Sequence, residues 1–318
     1  MAELRNWRAN RQPQAASPPT ALLPLPPDVA AMLGDLIDRG LAEDVGAGDV
    51  TTLATVPAER PASARFVARE AGVVAGLAVA ERVFARMDPA PAVTWSVSDG
   101  DAVHADDVIG TVAGAARGLL TAERLALNLL QRMSGIATAT RRMADAARPA
   151  VLLDTRKTVP GLRALDKWAV RLGGGANHRI GLFDMVLVKD NHIAAAGGVE
   201  AALRAVAAHP GAGALPVEIE ARTLEEVDEV LRLHSAGIRV DRLLLDNMVR
   251  PAADGSFDTS LLREAVRRVA GALQTEASGT ITLESAPAVA ASGVDFVSSG
   301  ALTHSVRALD VAMEIGVG

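Results

Sequence analysis

Beyond residue 150, short apolar runs alternate with amphipathic helical segments, and each apolar run is followed by a polar or small residue. Strands alternating with helices at intervals of roughly 22 to 35 residues predict βα units and a parallel sheet. About six such strands suit an open doubly wound sheet or a barrel. We favour a barrel because every predicted strand ends in a candidate functional residue, whereas an open sheet usually concentrates its site at one switch point. The predicted strands and the residues after them are 151–153 with Asp154, 185–188 with Lys189, 217–219 with Glu220, 243–245 with Asp246, 273–276 with Ala277 and Ser278, and 296–297 with Ser298.

The part of the chain before residue 150 has a different pattern. Asp28 is a predicted N-cap for a helix with apolar residues at helical spacing, and this helix leads into an acidic, glycine-containing loop at 43–52. A long helix from about residue 121 to 147 links this part to the barrel. The pattern therefore predicts a small α+β domain over residues 28–131, ending in the linking helix, and a catalytic barrel over 132–318. Packing of the C-terminal tail on the small domain is left open. The other predicted elements of the small domain are strands at 64–69, 73–75, 93–97 and 108–112 and a helix at 79–87.

Composition narrows the possible classes of protein. The chain has no cysteine, which excludes a disulfide framework, a thiolate metal site and a cysteine nucleophile. The net charge of −6 disfavours nonspecific nucleic-acid binding. No apolar run reaches the roughly 20 residues that cross a bilayer, and no secretory signal is recognisable, so we predict a soluble, cytoplasmic protein. Residues 1–27 are rich in Pro and Ala and are predicted to be a disordered leader; their arginines leave organelle targeting as the alternative.

Positive charge is concentrated between Asp154 and His192, which contain seven Arg or Lys against four Asp. If the strand-end residues form one ring at the barrel mouth, these cations predict a polyanionic ligand, because guanidinium groups bind carboxylate and phosphate oxygens in pairs. Glu220 and Asp246, on successive strands, suit Mg²⁺ or a developing positive charge. The cationic and imidazole candidates are Arg156, Lys157, His178, Arg179, Lys189 and His192.

Two late segments, Ser278-Gly279 and 298–300, each follow a predicted strand and are small enough to expose backbone N–H groups to a phosphate. Other features have simpler interpretations. Arg163, Lys167 and Arg171 lie four residues apart, which fits a solvated helix face or a subunit contact as well as a ligand role. The glycines at 173–175 favour a helix stop over a phosphate loop.

Several runs in this order resemble the quinolinate phosphoribosyltransferase family, also called nicotinate-nucleotide pyrophosphorylase (carboxylating), over nearly all of the chain after residue 28. The runs are AEDVGAGDVTT (42–52), TAERLALNLLQRMSGIAT (121–138), LDTRKTVPGLRALDKWAVRLGGGANHRIGLFDMVLVKDNH (153–192), LLLDNM (243–248), EASG (276–279) and SSGALTHS (298–305). The resemblance implies an open, incomplete α/β barrel with a smaller N-terminal α+β domain. It also implies a homodimer, or a higher assembly, whose small domain covers the barrel mouth of its partner.

The implied reaction joins quinolinate to phosphoribosyl pyrophosphate and releases pyrophosphate and carbon dioxide, giving nicotinate mononucleotide for NAD synthesis. By similarity, Lys157 and Lys189 serve the pyrophosphate and ring carboxylate region, with His192 in support. Glu220 and Asp246 hold the ribose hydroxyls and Mg²⁺. The resemblance assigns the quinolinate carboxylates to Arg156, His178 and Arg179, with Arg124 from the partner subunit, and the five-position phosphate to Ser278, Gly279, Gly300 and His304.

The chain departs from the family pattern at two positions, Trp168 in place of the usual Tyr and Thr280 in place of a second glycine. Thr280 is positioned to crowd the phosphate loop. Two competing hypotheses differ in mechanism: a Schiff-base aldolase with Lys189 as nucleophile, and a non-enzymatic phosphometabolite-binding homologue of the same scaffold. The aldolase leaves most of the Arg and His cluster unused, and the presence of both Glu220 and Asp246 disfavours the binding protein.

Overall fold

The computed structural model describes residues 22–316. These divide into two compact units, one formed by the described residues up to Ser134 together with those from Leu309 on, and one formed by Gly135–Ala308. Most of the predicted leader, including its arginines, lies outside the described residues. Residues 22–26 are irregular, and the first helix begins directly after them. None of the helices in the described part is long and apolar enough to cross a membrane.

The first unit begins with helices, continues with short strands and includes the start of a long helix. The residues after Asp49, which the sequence pattern predicted to be loop, form a short helix. The elements are α1 (Pro27–Val45), α2 (Val50–Thr55), β1 (Pro61–Ala68), β2 (Gly72–Val73), α3 (Leu77–Phe84), β3 (Ala92–Trp95), β4 (Ala102–Val103), β5 (Val108–Ala115) and α4 (Ala116–Ala146).

The two corrections in this unit concern helix caps. Asp28 does not cap α1; the helix starts on Pro27, whose fixed φ favours the first helical position, and Asp28 lies in the first turn. The carboxylate of Asp49 accepts the backbone N–H of Thr52 at 3.0 Å and so caps α2. Asp49, which the sequence pattern placed in an acidic loop, is therefore the residue that caps the start of a helix.

The second unit repeats strand and helix, as the apolar pattern predicts. The six predicted strands are present, and each ends within a few residues of its predicted end. The elements after α4 are β6 (Val151–Leu153), α5 (Arg163–Leu172), β7 (Val186–Val188), α6 (Asp190–Ala196), α7 (Val199–Ala208), a 3₁₀ turn (Pro210–Ala212), β8 (Val217–Ala221), α8 (Leu224–Ser235), β9 (Arg242–Asp246), β10 (Arg250–Pro251), β11 (Phe257–Asp258), α9 (Ser260–Val269), β12 (Gln274–Ser278), α10 (Ala286–Ala290), β13 (Phe296–Ser298) and α11 (Ala301–His304).

The six main strands form one parallel sheet in the order β6-β13-β12-β9-β8-β7. Within the described residues β6 does not pair with β7, so the sheet stays open. Besides its pairing with β13, β6 makes a single isolated parallel bridge within the described residues, between Leu153 and Ala176. The predicted open, incomplete α/β barrel with a smaller α+β domain is confirmed, and the carboxyl ends of all six strands share one edge.

The last element of the described residues is β14 (Val311–Gly316), which belongs to the first unit. It pairs antiparallel with β1 and extends a four-stranded sheet of order β14-β1-β5-β3. Under this sheet the ring of Phe66 packs against Phe84 and Trp95, with centroids 5.9 and 5.0 Å apart. The division between the units falls within α4, close to the predicted boundary after residue 131.

Two glycines of α4 test how closely the second unit is packed. A Cβ on Gly135 would overlap the carbonyl oxygen of Arg307 and approach the Cα of Ala308 to 2.9 Å. A Cβ on Gly118 would make ordinary van der Waals contacts, with Met87 at 3.5 Å and Pro91 at 3.9 Å. Backbone atoms cannot move away as a side chain can. We expect Gly135→Ala to lower the free energy of unfolding by about 1–3 kcal/mol in urea titrations.

The matched variant is Gly118→Ala, which should be neutral or stabilising by up to about 1 kcal/mol because alanine favours the helix. Equal effects of the two substitutions would contradict the close backbone contact at Gly135.

Candidate active site

A cavity of about 460 Å³ opens at the carboxyl edge of the parallel sheet. This is the size range of small-molecule sites. Eight predicted site residues line it: Lys157, Lys189, Glu220, Asp246, Ser278, Gly279, Gly300 and His304. Arg156, His178, Arg179 and His192 are not among the lining residues. Separate strands thus bring residues far apart in sequence to one cavity, as the strand-end pattern predicted.

The segment after β12 is shaped by residues in the left-handed region of backbone conformation. Gly279 has φ 95° and lies against Asn247, and a Cβ there would come within 2.7 Å of the Asn247 backbone nitrogen. Asn247 (φ 56°) and Thr280 (φ 47°) are also left-handed, and Thr280 is exposed at the cavity. Only glycine fits at 279. Thr280 is strained where a glycine would not be, which is the physical reason that a second glycine suits this loop.

The second small-residue segment brings Lys157 to the cavity. A Cβ on Gly300 would meet the Lys157 side chain at 2.8 Å and the His304 ring at 2.9 Å, so glycine permits both to approach. The Thr303 hydroxyl donates to the Lys157 carbonyl at 2.9 Å and fixes its backbone. The loops after β6 and β13 are therefore joined to each other.

Glu220 and Asp246 lie beside each other, as predicted, and share one guanidinium. The Nε of Arg222 is 3.1 Å from Glu220 and 3.4 Å from Asp246, while its Nη2 is 2.9 Å from Asp190. Burial, helped by the negative charge of Asp246, raises the pKa of Glu220 against the lowering effect of Arg222. Arg222 was not among the predicted site residues. Its position directly after a strand carrying two acids was the available signal.

Lys189 and His192 form the start of α6. The Nδ1 of His192 accepts the backbone N–H of Lys189 at 2.9 Å, so the histidine holds the backbone from which the lysine side chain extends. The role expected of His192 in supporting ligand binding stays a prediction. Lys189 is exposed. Schiff-base lysines are commonly desolvated, so its environment does not favour the aldolase hypothesis.

Below the cavity, Asp154 organises the segment that carries His178. Its side chain is fully buried and accepts Lys167 Nζ at 2.5 Å, Asn177 Nδ2 at 2.7 Å and the backbone N–H of His178 at 2.9 Å. Burial raises the pKa of Asp154 and lowers that of Lys167, and the attraction between the two charges opposes both shifts. The predicted solvated helix face was wrong for Lys167, whose side chain is only 4% exposed.

Arg156 and Arg179 form a pair of like charges. Burial lowers the pKa of Arg179, and the positive charge of Arg156 lowers it further. The Nε of Arg156 is buried and finds no hydrogen-bond partner among the described residues. Glu218 and Asp184 oppose the lowering of the Arg179 pKa. Nη1 of Arg179 donates to the Met185 carbonyl at 3.3 Å, but the buried Nε of Arg156 is left without an acceptor in the described part of the chain. The two guanidinium groups therefore suit an anionic ligand with more than one oxygen.

The interior of the barrel also holds buried charges that the sequence analysis missed. The Nε2 of His178 is 3.0 Å from Glu218 and 3.5 Å from Glu276, and Glu276 is 2.9 Å from Nη1 of Arg242. Arg242 in turn lies 3.9 Å above the Phe296 ring. Burial raises the pKa of Glu218. For Glu276, burial is opposed by hydrogen bonds from His178 and Ser298 and by the positive charge of Arg242, and the pKa is lowered.

The protonation of His178 follows from its two ring nitrogens. Burial lowers its pKa, but Glu218 and Glu276 outweigh burial and raise the pKa to about 9. In contrast, Nδ1 accepts the backbone N–H of Arg179 at 2.7 Å, which an imidazolium cannot do. We assign the neutral ring with its proton on Nε2, because a second proton would be forced against that N–H. Both nitrogens are thus in use within the protein.

One sequence signal could have identified Glu218. Strand β8 reads Val-Glu-Ile-Glu-Ala, and residues two apart lie on the same face of a strand, so Glu218 shares a face with Glu220. Lys167, Glu276 and Arg242 had no such signal, because their partners come from distant parts of the chain.

Comparison with known proteins places the chain in a family. The family described as "Quinolinate phosphoribosyl transferase, C-terminal domain" matches residues 136–314, and its N-terminal domain counterpart matches residues 49–134. The chain belongs to the quinolinate phosphoribosyltransferase family. The resemblance predicted from the sequence is confirmed, and every predicted site residue lies within the matched ranges. The C-terminal match holds all of them except Arg124.

Relatives of the quinolinate phosphoribosyltransferase family match at high identity. "Quinolinate phosphoribosyltransferase [decarboxylating] 2, mitochondrial" of Nicotiana glauca is 52% identical over 287 residues, covering 89% of this chain and 82% of that protein. "Nicotinate-nucleotide pyrophosphorylase [carboxylating]" of Mycobacterium leprae is 46% identical over 286 residues, covering 88% and 96%. The crystal structure of NadC from Streptococcus pyogenes superposes with a TM-score of 0.80 at 37% identity, covering 90% and 98%.

The Asp154–Lys167 pair generates a stability prediction. Lys167→Met leaves a buried carboxylate without its ammonium partner, and breaking a buried pair in this way costs about 3–5 kcal/mol of unfolding free energy. Urea unfolding monitored by circular dichroism measures the loss.

Arg171→Met is the matched control, since Arg171 is an exposed cation on the same helix. It should change stability by no more than about 0.5 kcal/mol. A similar small effect at Lys167 would mean that the buried pair contributes little.

Proposed function

We propose that this chain catalyses phosphoribosyl transfer from phosphoribosyl pyrophosphate to quinolinate with decarboxylation, giving nicotinate mononucleotide, pyrophosphate and carbon dioxide. Membership of the family and the names of its relatives support this activity. The observation that carries the proposal is the division of the site into two anion-binding parts. The Arg156–Arg179 pair suits a dicarboxylate, and the cavity with its small-residue loops suits a phosphorylated sugar. The enzyme is thus a pentosyltransferase of NAD synthesis.

The roles that we propose for the residues rest on the family resemblance, and the contacts of the described residues support them. Arg156 and Arg179 bind the quinolinate carboxylates, and His178, whose nitrogens are engaged by Glu218 and by the Arg179 backbone, orients Arg179. Arg124, with a side chain 58% exposed, is proposed to reach the carboxylates from the partner subunit. Lys157 and Lys189 neutralise pyrophosphate and the ring carboxylate region. The loops containing Ser278, Gly279, Gly300 and His304 hold the five-position phosphate.

Glu220 and Asp246 fit a magnesium ion. Hard divalent cations prefer carboxylate oxygens, and the Oε1 of Glu220 is buried without a hydrogen-bond partner among the described residues. When bound, Mg²⁺ would neutralise charge on the pyrophosphate. The carboxylates themselves face the ribose and favour the positive charge that develops at its anomeric carbon.

The chemistry needs no further protein nucleophile. The pyridine nitrogen of quinolinate forms a bond to the anomeric carbon while the bond from that carbon to pyrophosphate breaks. The ring then carries a positive charge, which stabilises the electron pair left on the ring carbon when the adjacent carboxylate departs as carbon dioxide. That carbon takes up a proton from solvent to give nicotinate mononucleotide. Arg156 and Arg179 position the departing carboxylate for its loss.

A homodimer with shared active sites is part of the proposal. Leu182 and Phe183, shortly after Arg179 in the chain, are 72% and 74% exposed, which is unusual for large apolar side chains and suits contact with a second copy. The cytoplasm remains our proposed location. The Nicotiana glauca relative is named mitochondrial, which supports organelle targeting as the alternative.

The activity is tested by incubating the protein with Mg²⁺ and phosphoribosyl pyrophosphate and with either quinolinate or nicotinate. Product nucleotide is measured by chromatography, and carbon dioxide by release of label from the quinolinate carboxylate. We expect product when the second substrate is quinolinate and none when it is nicotinate, with one carbon dioxide released for each product molecule.

Product with nicotinate alone would overturn the proposed function. Asp246→Asn serves as the site control and should lose roughly 100-fold or more in turnover, because it removes charge stabilisation at the reacting carbon.

The shared site is tested by subunit mixing. Arg124→Ala and Arg179→Ala proteins should each be inactive alone, because each lacks a carboxylate ligand. After subunit exchange the mixture should recover roughly a quarter of wild-type activity, since half of randomly exchanged dimers are mixed and each contains one intact site.

The matched control mixes Arg179→Ala with a chain carrying both substitutions, which leaves no intact site in any dimer. Recovery of activity in this control mixture would contradict a shared site. So would the absence of recovery in the first mixture when mass-tagged subunits show that exchange has occurred.

A further inference from the structure

Arg222 occupies the place between the carboxylates that the proposed function assigns to a metal ion. Its guanidinium reaches three acids at once: Glu220 at 3.1 Å, Asp246 at 3.4 Å and Asp190 at 2.9 Å. It also lines the cavity. Arg222 therefore already neutralises these carboxylates within the free chain.

A guanidinium and a metal ion compete for these oxygens. The Oε1 of Glu220, which Arg222 faces, is also the buried oxygen that lacks a hydrogen-bond partner in the described structure. A magnesium ion needs its oxygens at about 2.1 Å in near-octahedral geometry. Two cations cannot both approach the same carboxylate oxygens so closely without strong repulsion.

The exposure of Arg222 makes it displaceable. Its side chain is 47% exposed, so its ion pairs are screened by solvent, in contrast to the buried pair of Lys167 and Asp154. An exposed guanidinium that leaves a carboxylate is rehydrated at little cost. The contact with Glu220 and Asp246 is thus suited to exchange rather than to permanent support.

We propose that Arg222 competes with the metal ion for its carboxylate ligands. It occupies the Glu220–Asp246 pair in the free protein and is displaced when the magnesium complex of phosphoribosyl pyrophosphate binds. The inference rests on the proposed function, in which those two acids hold Mg²⁺. Free metal then binds weakly in the absence of substrate, because it must displace Arg222 without the additional contacts that the pyrophosphate brings. The acids are also prevented from repelling the incoming anionic substrate.

The test measures binding of Mn²⁺ to the full-length, substrate-free protein, by the loss of the free-ion electron paramagnetic resonance signal. Arg222→Gln should lower the dissociation constant for Mn²⁺ roughly five- to tenfold, because two or three solvent-screened ion pairs no longer compete. Arg222→Lys retains a cation and should keep most of the weak wild-type binding. The concentration of Mg²⁺ that half-saturates the reaction should also fall in Arg222→Gln.

Arg239→Gln is the matched control. Arg239 is 51% exposed and pairs with Asp241 at 3.1 Å, before β9 and away from the cavity lining, so its loss should leave Mn²⁺ binding unchanged. Thermal unfolding of each variant confirms that the fold is retained.

Combining Arg222→Gln with Glu220→Gln separates the inference from the function on which it rests. If the tighter Mn²⁺ binding of Arg222→Gln is lost in the double variant, both the metal site and the role of Arg222 are supported. If Arg222→Gln binds Mn²⁺ like the wild type while Glu220→Gln weakens binding, the metal site stands and the role of Arg222 is overturned. If neither Glu220→Gln nor Asp246→Asn affects Mn²⁺, the metal site itself is wrong and the inference fails with it.

Discussion

The buried ion pair between Asp154 and Lys167 is the interaction on which the site depends. Taking both charges out of water is expensive, and the cost is offset only when the remaining donors and acceptors are also satisfied. Asp154 meets this condition by accepting Asn177 and the His178 backbone as well as Lys167. The pair therefore joins α5, the end of β6 and the irregular segment after α5 into one arrangement, and the position of Arg179 follows from it.

The barrel interior extends the same principle to a second layer of charge. Strand β8 directs Glu218 and Glu220 to one face, but their partners differ. Glu218 lies against His178 in the dry interior, whereas Glu220 lies beside the exposed Arg222 at the cavity. Two glutamates that lie two positions apart thus have different surroundings, one in the buried interior and one at the solvent-accessible cavity. Depth in the barrel, which sets solvent screening, determines the difference.

The side of the cavity that we propose for the phosphate is built mainly from backbone. Gly279 lies too close to Asn247 to carry a side chain, and Gly300 leaves room for Lys157 and His304. Thr280 is the exception, since it adopts a left-handed backbone that costs a branched residue free energy. Its side chain is exposed, so the strain is accommodated locally without displacing the loop into the core.

Much of this protein could be predicted from the sequence, because the informative patterns are local. Apolar runs separated by amphipathic helices predicted six parallel strands, and parallel strands bring their carboxyl ends to one edge, so Lys157, Lys189, Glu220 and Asp246 were expected together. Family motifs carried the activity. Local patterns did not reveal the helix begun by Asp49, since one carboxylate accepting one backbone N–H distinguishes it from a loop.

Only the tertiary structure decided which charges are buried and with which partners. Lys167 has the spacing of a solvated helix residue, yet it is buried because Asp154, thirteen positions away, is directed at it. Arg242 and Glu276 are ordinary strand residues until adjacent strands bring them within 2.9 Å. Ion pairs between distant segments leave no periodicity in the chain, because their energy depends on distance and desolvation in the folded protein and not on separation in sequence.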